Sequence, residues 1–227
     1  MRAVILVVSD KEKDTSSTSG METSRLTSPL LQYRAASVVQ GRLEQMEAAY
    51  LGRDFETFGK LTMQDSNQFH AVCLDTYPPI FYMNDVSKAI IRLVHVINAH
   101  FGSIKAAYTF DAGPNAVIYT LEKDVPLVLS VMATYFPAPG SPELYCNKPA
   151  DFTLAASAAT FSTLVPADLA EKLRGTGRAP AAGDVKYIFS TKSGPGPLSQ
   201  PLSESLLDPV TGLPKPPGPN HKRMKLA

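Results

Sequence analysis

The stretch IKAAYTFDAGPNAVIYTL, residues 104–121, contains two runs of strand-forming residues separated by a turn. Tyr, Thr, Val and Ile are enriched in β-strands, whereas the Asp, Gly, Pro and Asn of residues 111–115 favour turns. We therefore predict an antiparallel pair of strands over residues 104–110 and 116–121. The turn places the Asp111 carboxylate at a strand end, followed by small residues that let a ligand approach the backbone.

This stretch also has a simpler interpretation. A Gly-Pro-Asn run forms a defined turn by itself, and Asp111 would then only hydrogen-bond its own turn. Both interpretations remain open from these residues alone.

The segments on either side predict the rest of the fold. Residues 3–8 form an aliphatic run typical of a buried strand, and residues 185–190 predict a last strand. Apolar spacing predicts helices over residues 29–50, 54–70, 84–100, 124–135 and 167–174. Asp54 is the expected cap of the second helix and Gly102 the stop of the third, while the Pro-rich residues 137–150 are predicted to be irregular. The order of elements predicts an α+β fold, a ferredoxin-like antiparallel sheet covered on one face by helices.

The C-terminal 35 residues have a different composition. Eight prolines follow residue 192, with little apolar periodicity. We therefore predict one domain over residues 1–192 and a partly disordered segment over 193–227. The basic run of residues 221–225 is short, so a solvated tail is favoured over nucleic-acid binding.

Composition restricts the function classes. The 22 basic and 21 acidic residues nearly cancel, giving a net charge of +1. This balance gives no reason to expect nucleic acid or a membrane as a partner. Neither of the two cysteines has metal-ligand spacing, and the four histidines form no metal pattern, so no metal site is predicted. No signal or membrane-spanning segment is recognisable, which predicts a cytosolic protein.

The hydroxyl-rich run Ser16–Gly20 is the second candidate site. Clustered hydroxyls and backbone N–H groups before a helix can bind phosphate or carboxylate oxygens. Simple helix capping explains the same residues, and that alternative stays open. The chain has neither a GxxxxGK[ST] nor a GxGxxG motif, so no segment is predicted to bind nucleotide phosphates by itself.

Several long segments together resemble the mevalonate diphosphate decarboxylase family. The likeness covers residues 1–135 well and residues 180–217 more loosely. The matching segments are residues 2–10, 16–21, 27–31, 61–71, 74–80, 107–116, 185–188 and 194–197. Long segments at these separations are far more specific than a short motif.

The resemblance implies the C-terminal type of GHMP-kinase domain over residues 1–192 and the absence of the family's N-terminal ATP-binding half. It implies ATP-dependent decarboxylation of mevalonate 5-diphosphate to isopentenyl diphosphate, a step of isoprenoid and sterol biosynthesis. The expected catalytic residue is Asp111, which orients the substrate 3-hydroxyl and accepts its proton, with Ser17 and Thr18 near the diphosphate. The expected co-substrate is ATP with Mg²⁺, bound mainly by the N-terminal half, and the full-length enzyme is expected to be a homodimer.

Three functions follow as hypotheses. The first is a decarboxylase chain that is inactive when isolated. The second is a non-catalytic binding or scaffold domain with the same fold. A sibling small-molecule kinase is the third, but such kinases carry a glycine-rich turn where this chain has residues 111–113, which disfavours it.

Overall fold

The computed structural model describes residues 1–11, 15–199 and 201–215. Within these residues, four strands form one antiparallel sheet: β1 (Arg2–Val7), β2 (Ala106–Phe110), β3 (Ala116–Thr120) and β4 (Tyr187–Thr191). The strand order across the sheet is β2-β3-β1-β4. Helices lie between β1 and β2 and between β3 and β4, while β2 and β3 form a hairpin. The predicted α+β, ferredoxin-like sheet is thereby confirmed.

Ten α-helices accompany the sheet in the described part of the chain. They are α1 (Ser17–Thr27), α2 (Pro29–Tyr33), α3 (Val39–Leu51), α4 (Phe55–Asp75), α5 (Asp85–Phe101), α6 (Val125–Tyr135), α7 (Pro142–Tyr145), α8 (Pro149–Ala155), α9 (Ala158–Leu164) and α10 (Ala167–Arg174). A π-helical turn (Arg34–Val38) joins α2 to α3, and short 3₁₀ turns cover Glu122–Asp124 and Leu202–Glu204.

The main core lies on one face of the sheet, and every second residue of each strand points its side chain into it. In register, Val4 of β1 and Tyr108 of β2 both lie opposite Ile118 of β3, so the three side chains share one face. All three are at most 1% exposed. Helices α5 and α6 supply the facing layer through buried residues such as Leu93 and Met132.

Both predicted helix boundaries are confirmed. The Asp54 side chain accepts a hydrogen bond from the Thr57 backbone N–H (3.0 Å) and caps α4. Gly102 ends α5 in a left-handed conformation with φ of +61°, which glycine adopts without a Cβ penalty.

Residues 29–50 are helical throughout, as predicted, although a π-helical turn separates α2 from α3. Other parts of the helix prediction were wrong or incomplete. Residues 137–150 are not wholly irregular: Pro142 and Pro149 begin α7 and α8 at positions where a missing N–H costs nothing. Helix α1, rich in Ser and Thr, was not predicted because such residues have weak intrinsic helix propensity. Helix α9 was not predicted because its seven residues are too few to show an apolar period.

The chain divides into two compact units, Met1–Lys192 and Ser193–Ala227. In the second unit, Asp208 Oδ1 accepts hydrogen bonds from the backbone N–H groups of Val210 (3.0 Å) and Thr211 (2.8 Å) and forms a turn. The basic run of residues 221–225 lies outside the described residues, and the disorder expected for this segment stays a prediction. No helix in the described ranges has the length and hydrophobicity needed to cross a bilayer.

Helix α4 packs closely against the β2 side of the sheet through Gly59. A Cβ atom added there would lie 2.6 Å from Ile104 Cγ2 and 3.2 Å from Ala107 Cβ. We expect Gly59→Val to lower the free energy of unfolding by about 2 kcal/mol through overpacking, measured by urea denaturation. Gly41→Ala in α3 is the control, because a Cβ there meets nothing within 4 Å. It should stabilise the protein by about 0.5–1 kcal/mol. Equal effects of the two changes would contradict the close approach.

Candidate active site

A cavity of about 530 Å³ lies between α1, α2, α4 and the turn that follows β2. Its volume is in the range of small-molecule sites. Its walls are mostly apolar, with a few polar groups among them. The lining residues are Ser17, Gly20, Met21, Ser24, Arg25, Leu31, Arg34, Phe69, Val72, Cys73, Ile80, Tyr82, Asp111 and Ala112.

The turn carrying Asp111 is held by contacts of the neighbouring residues and of its own backbone. Asn115 Oδ1 accepts from the backbone N–H groups of Val8 (2.8 Å) and Ser9 (3.0 Å), and Ser87 Oγ donates to the Pro114 carbonyl (2.9 Å). The backbone N–H of Gly113 donates to the Asp111 carbonyl (2.7 Å). Within the described part of the chain, the Asp111 carboxylate itself has no hydrogen-bond donor or cation as partner. The hairpin is confirmed, but the carboxylate is not used to hold it.

Helix α1 begins inside the hydroxyl-rich run. Ser16 is its N-cap, and Ser16 Oγ accepts from the Ser19 backbone N–H (3.1 Å). Ser17 therefore lies in the first helical turn and lines the cavity together with Asp111. Thr18 is exposed in the same turn and does not line the cavity. Of the three predicted site residues, the fold brings Ser17 and Asp111 to one cavity and leaves Thr18 beside it.

The close approach of α1 to the cavity depends on Gly20. A Cβ atom there would lie 2.4 Å from the Tyr82 hydroxyl oxygen. The same hydroxyl donates to the Ser16 carbonyl (3.3 Å) at the start of α1. Tyr82 thus fixes the N-terminal turn of α1 against the cavity wall.

Two arginines, of which Arg34 lines the cavity, form a positively charged group that the sequence analysis missed. Arg34 Nη2 and Arg42 Nη1 each lie 2.8 Å from Asp65 Oδ1, and both guanidinium groups donate to Gln68 Oε1 (2.5 and 2.9 Å). Burial acts to raise the pKa of Asp65, but the hydrogen bonds and charges of the two arginines outweigh it and lower that pKa. The single carboxylate of Asp65 faces two guanidinium groups, so this cluster keeps an excess positive charge. The cluster lies beside the cavity, because Arg34 lines it.

Two buried titratable groups lie close to this cavity on α4. Burial raises the pKa of the Cys73 thiol to about 11, so the cavity meets a neutral thiol there rather than a nucleophilic thiolate. Burial also lowers the pKa of His70, against the opposing effects of the Phe110 backbone and the Asp111 charge. The His70 ring is therefore neutral near pH 7. In the described ranges no three His, Cys, Asp or Glu side chains gather as a metal site.

The cavity residues missed by sequence analysis include Arg34, Phe69 and Tyr82. They are far apart in the chain, and no local spacing connects them. One weak signal was available: Arg34 is a lone basic residue in an otherwise uncharged stretch, residues 26–41.

Comparison with known proteins identifies the family. The model of the mevalonate 5-diphosphate decarboxylase C-terminal domain matches residues 3–200. The chain belongs to the mevalonate 5-diphosphate decarboxylase family. The diphosphomevalonate decarboxylases of Danio rerio and Homo sapiens are both 47% identical to it over 95% of its length. The alignment covers 51% of each relative, so the chain spans about half the length of these decarboxylases.

Solved decarboxylase structures agree with this assignment. A crystal structure of mevalonate 5-diphosphate decarboxylase is 41% identical, with a TM-score of 0.73 over 93% of this chain and 51% of that chain. The Trypanosoma brucei enzyme is 28% identical, with the same TM-score of 0.73 over 91% of this chain and 52% of its own. A third protein, described as MDDEF in complex with MVAPP, AMPPCP and magnesium, is 26% identical with a TM-score of 0.55, over 60% of this chain and 41% of that one.

Proposed function

We propose that this chain supplies the substrate-facing half of an ATP-dependent decarboxylase that converts mevalonate 5-diphosphate to isopentenyl diphosphate. The observation that carries the proposal is the Asp111 carboxylate, which has no partner among the described residues and lies at the wall of a cavity shared with Ser17. The excess positive charge beside Arg34 suits a substrate that carries a carboxylate and a diphosphate. A member of this decarboxylase family in complex with MVAPP supports the same substrate class.

Asp111 orients the substrate 3-hydroxyl and accepts its proton while the hydroxyl oxygen attacks the terminal phosphorus of ATP, whose bond to the β-phosphate oxygen breaks and releases ADP. A carboxylate suits this task, because phosphoryl transfer has a loose transition state that depends on positioning more than on a strong base. The C3–O bond of the new phosphate ester then breaks, phosphate leaves with the bonding electrons, and the negative charge of Asp111 favours the positive charge that develops at C3. The carboxylate of the substrate leaves as carbon dioxide, and its bonding electrons form the new double bond.

Ser17, Thr18 and the backbone N–H groups at the start of α1 contact the substrate diphosphate in this proposal. The helix N-terminus carries partial positive charge and free N–H groups, which favour anions. ATP with Mg²⁺ is the co-substrate and donates the phosphoryl group, and we place its binding on the half of the enzyme that this chain does not span. The proposal includes a cytosolic enzyme that is a homodimer in its full-length form.

Thr18 separates the two interpretations of the hydroxyl-rich run, because Ser16 is the cap. In an enzyme assembled with the other half, Thr18→Val should raise KM about tenfold, equivalent to about 1.4 kcal/mol of lost hydrogen bonding, and leave the Tm nearly unchanged. Ser16→Ala should instead lower the free energy of unfolding by about 1 kcal/mol. Steady-state kinetics and thermal denaturation of both variants are the measurements. A Thr18→Val enzyme with normal KM and reduced stability would restore the capping interpretation for Thr18.

The proposed function is tested by mixing or joining this chain with the N-terminal half of the Danio rerio decarboxylase, with ATP and mevalonate 5-diphosphate as substrates. Carbon dioxide release is expected only when both halves are present. The chain alone should show no ATP binding by calorimetry, since its sequence contains no phosphate-binding loop motif. A mixture of folded halves that binds both substrates but releases no carbon dioxide would contradict the proposal. Turnover by the chain alone would show that it binds ATP by itself.

A non-catalytic binding domain is the alternative that one observation favours. Helices α1 and α2 leave Met21, Leu26 and Tyr33 at least 59% exposed, an apolar surface suited to a protein partner. The same mixing experiment decides between the two functions. Tight association of the halves without turnover would support the binding domain.

A further inference from the structure

Helix α4 packs along β2, and polar side chains of α4 form hydrogen bonds with residues of this strand. Ser66 Oγ accepts a hydrogen bond from the backbone N–H of Phe110 (3.0 Å), and Asn67 Oδ1 accepts one from the Tyr108 hydroxyl (3.0 Å). His70 lies one helical turn after Ser66. Ser66 and His70 are each only 4% exposed, so both side chains lie in the interior.

His70 packs against the same residue of β2 that Ser66 binds. The imidazole meets the Phe110 ring edge to face, with centroids 6.2 Å apart, and the Phe69 ring at 4.9 Å. His70 Nε2 is enclosed and has no hydrogen-bond partner among the described residues. Ser66 therefore fixes the Phe110 backbone while His70 fixes its side chain, and Phe110 immediately precedes Asp111.

We propose that Ser66 and His70 are positioning residues that hold Phe110 and thereby aim the Asp111 carboxylate into the cavity. The proposal rests on the proposed function, in which Asp111 acts on the substrate. Because the carboxylate has no partner among the described residues, its direction is set by its own backbone. That backbone is held by Ser66 through Phe110 on one side and by the turn contacts of Ser87 and Asn115 on the other.

The chemistry of the two residues suits this task. A misplacement of about 1 Å in a reacting group costs on the order of a hundredfold in rate, so a reactive carboxylate without partners needs a rigid support. The neutral His70 ring is close enough to feel the charge of Asp111, yet adds no cation that would neutralise it. The support therefore orients the carboxylate without placing a positive charge beside it.

The first test uses the purified chain and does not depend on its activity. Backbone ¹⁵N relaxation should give Asp111 an order parameter of about 0.85 in the parent chain and below about 0.6 in Ser66→Ala and His70→Ala. Ser66→Thr, which keeps the acceptor oxygen, should restore the parent value. Asn67→Ala is the matched control, because its partner Tyr108 lies farther from Asp111 and keeps a contact to His95 Nε2 (3.1 Å). An unchanged order parameter in both folded variants would overturn the proposal.

The second test uses the enzyme assembled with the Danio rerio N-terminal half. Ser66→Ala and His70→Ala should lower kcat ten- to hundredfold with KM within about threefold, whereas Asn67→Ala should lower only the Tm. If Ser66→Ala reduces the folded fraction, His70→Ala gives the same readout with the hydrogen bond from Phe110 to Ser66 in place. A normal kcat in both variants would overturn the proposal. An assembled parent enzyme without activity would refute the proposed function instead, and the relaxation result would still decide on the positioning role.

Discussion

Replacing Asp111 with asparagine in the assembled enzyme should lower kcat about a thousandfold or more and leave KM within several-fold. Asparagine keeps the size and polarity of the side chain but cannot accept the proton of the 3-hydroxyl. It also carries no charge to favour the positive charge developing at C3. Both losses fall on the transition state rather than on the bound substrate, so they appear in kcat. Steady-state assays of carbon dioxide release measure the effect.

The stability of the Asp111→Asn variant distinguishes this catalytic role from a structural one. The carboxylate makes no hydrogen bond or ion pair in the described part of the chain, so the Tm should stay within about 2 °C of the parent value. Asp85→Asn is a matched control, because Asp85 has a side chain 97% exposed on α5 and its one ion pair among the described residues is with Lys88. It should leave kcat unchanged. A loss of less than about tenfold for Asp111→Asn would refute the assigned role.

The parts of the fold predicted from sequence are those with strong, local patterns. The aliphatic run of β1 and the strands of the β2–β3 hairpin are rich in β-branched and aromatic residues, which strongly favour β-strands. Helix α5 has a regular apolar stripe and a glycine stop, which placed both of its ends. Helix α1 is mostly polar, so its sequence shows no apolar stripe. Tertiary contacts rather than local sequence decide that this segment is helical.

Only two residues of the candidate site were predictable, because each can be recognised from a short stretch of sequence. Asp111 was found because it follows a strand and precedes a turn of small residues, and Ser17 because it lies in a hydroxyl-rich run. The resemblance to the decarboxylases supplied their roles, and those roles remain predictions. Arg34 and its network with Asp65 were not predictable, because the network joins residues about 30 positions apart through the packing of α4.

The largest expected effect on stability comes from Asn98, which ties α5 to the start of β2. Asn98 Nδ2 donates to the Ala106 carbonyl (2.8 Å), and its Oδ1 accepts from the backbone N–H groups of Lys105 (2.8 Å) and Ala106 (3.1 Å). The residue is 8% exposed, so water does not easily replace these bonds. Asn98→Leu keeps the number and branching of the side-chain heavy atoms, although its methyl groups are bulkier, and it leaves three backbone groups without their partner.

An unsatisfied buried polar group costs about 1–3 kcal/mol, and the costs are not additive, so we expect Asn98→Leu to lower the free energy of unfolding by about 3 kcal/mol or more. For a domain of this size that corresponds to a Tm decrease of roughly 10 °C, measured by circular dichroism. Asn67→Ala removes a single side-chain contact and should cost only about 1 kcal/mol. Similar losses from the two variants would show that the Asn98 bonds are weak.

The Asn98 result also bears on the site, because Asn98 and Ser66 hold opposite ends of one strand. The backbone N–H groups of Ala106 and Phe110 point away from β3 along the free edge of β2, and each is bound by one of these side chains. Loss of Asn98 should therefore loosen the strand start and lower stability, while Asp111 at the other end stays held by Ser66. We expect folded Asn98→Leu protein to keep a normal order parameter at Asp111. A mobile Asp111 in that variant would mean that β2 moves as one unit and that Ser66 alone does not position the carboxylate.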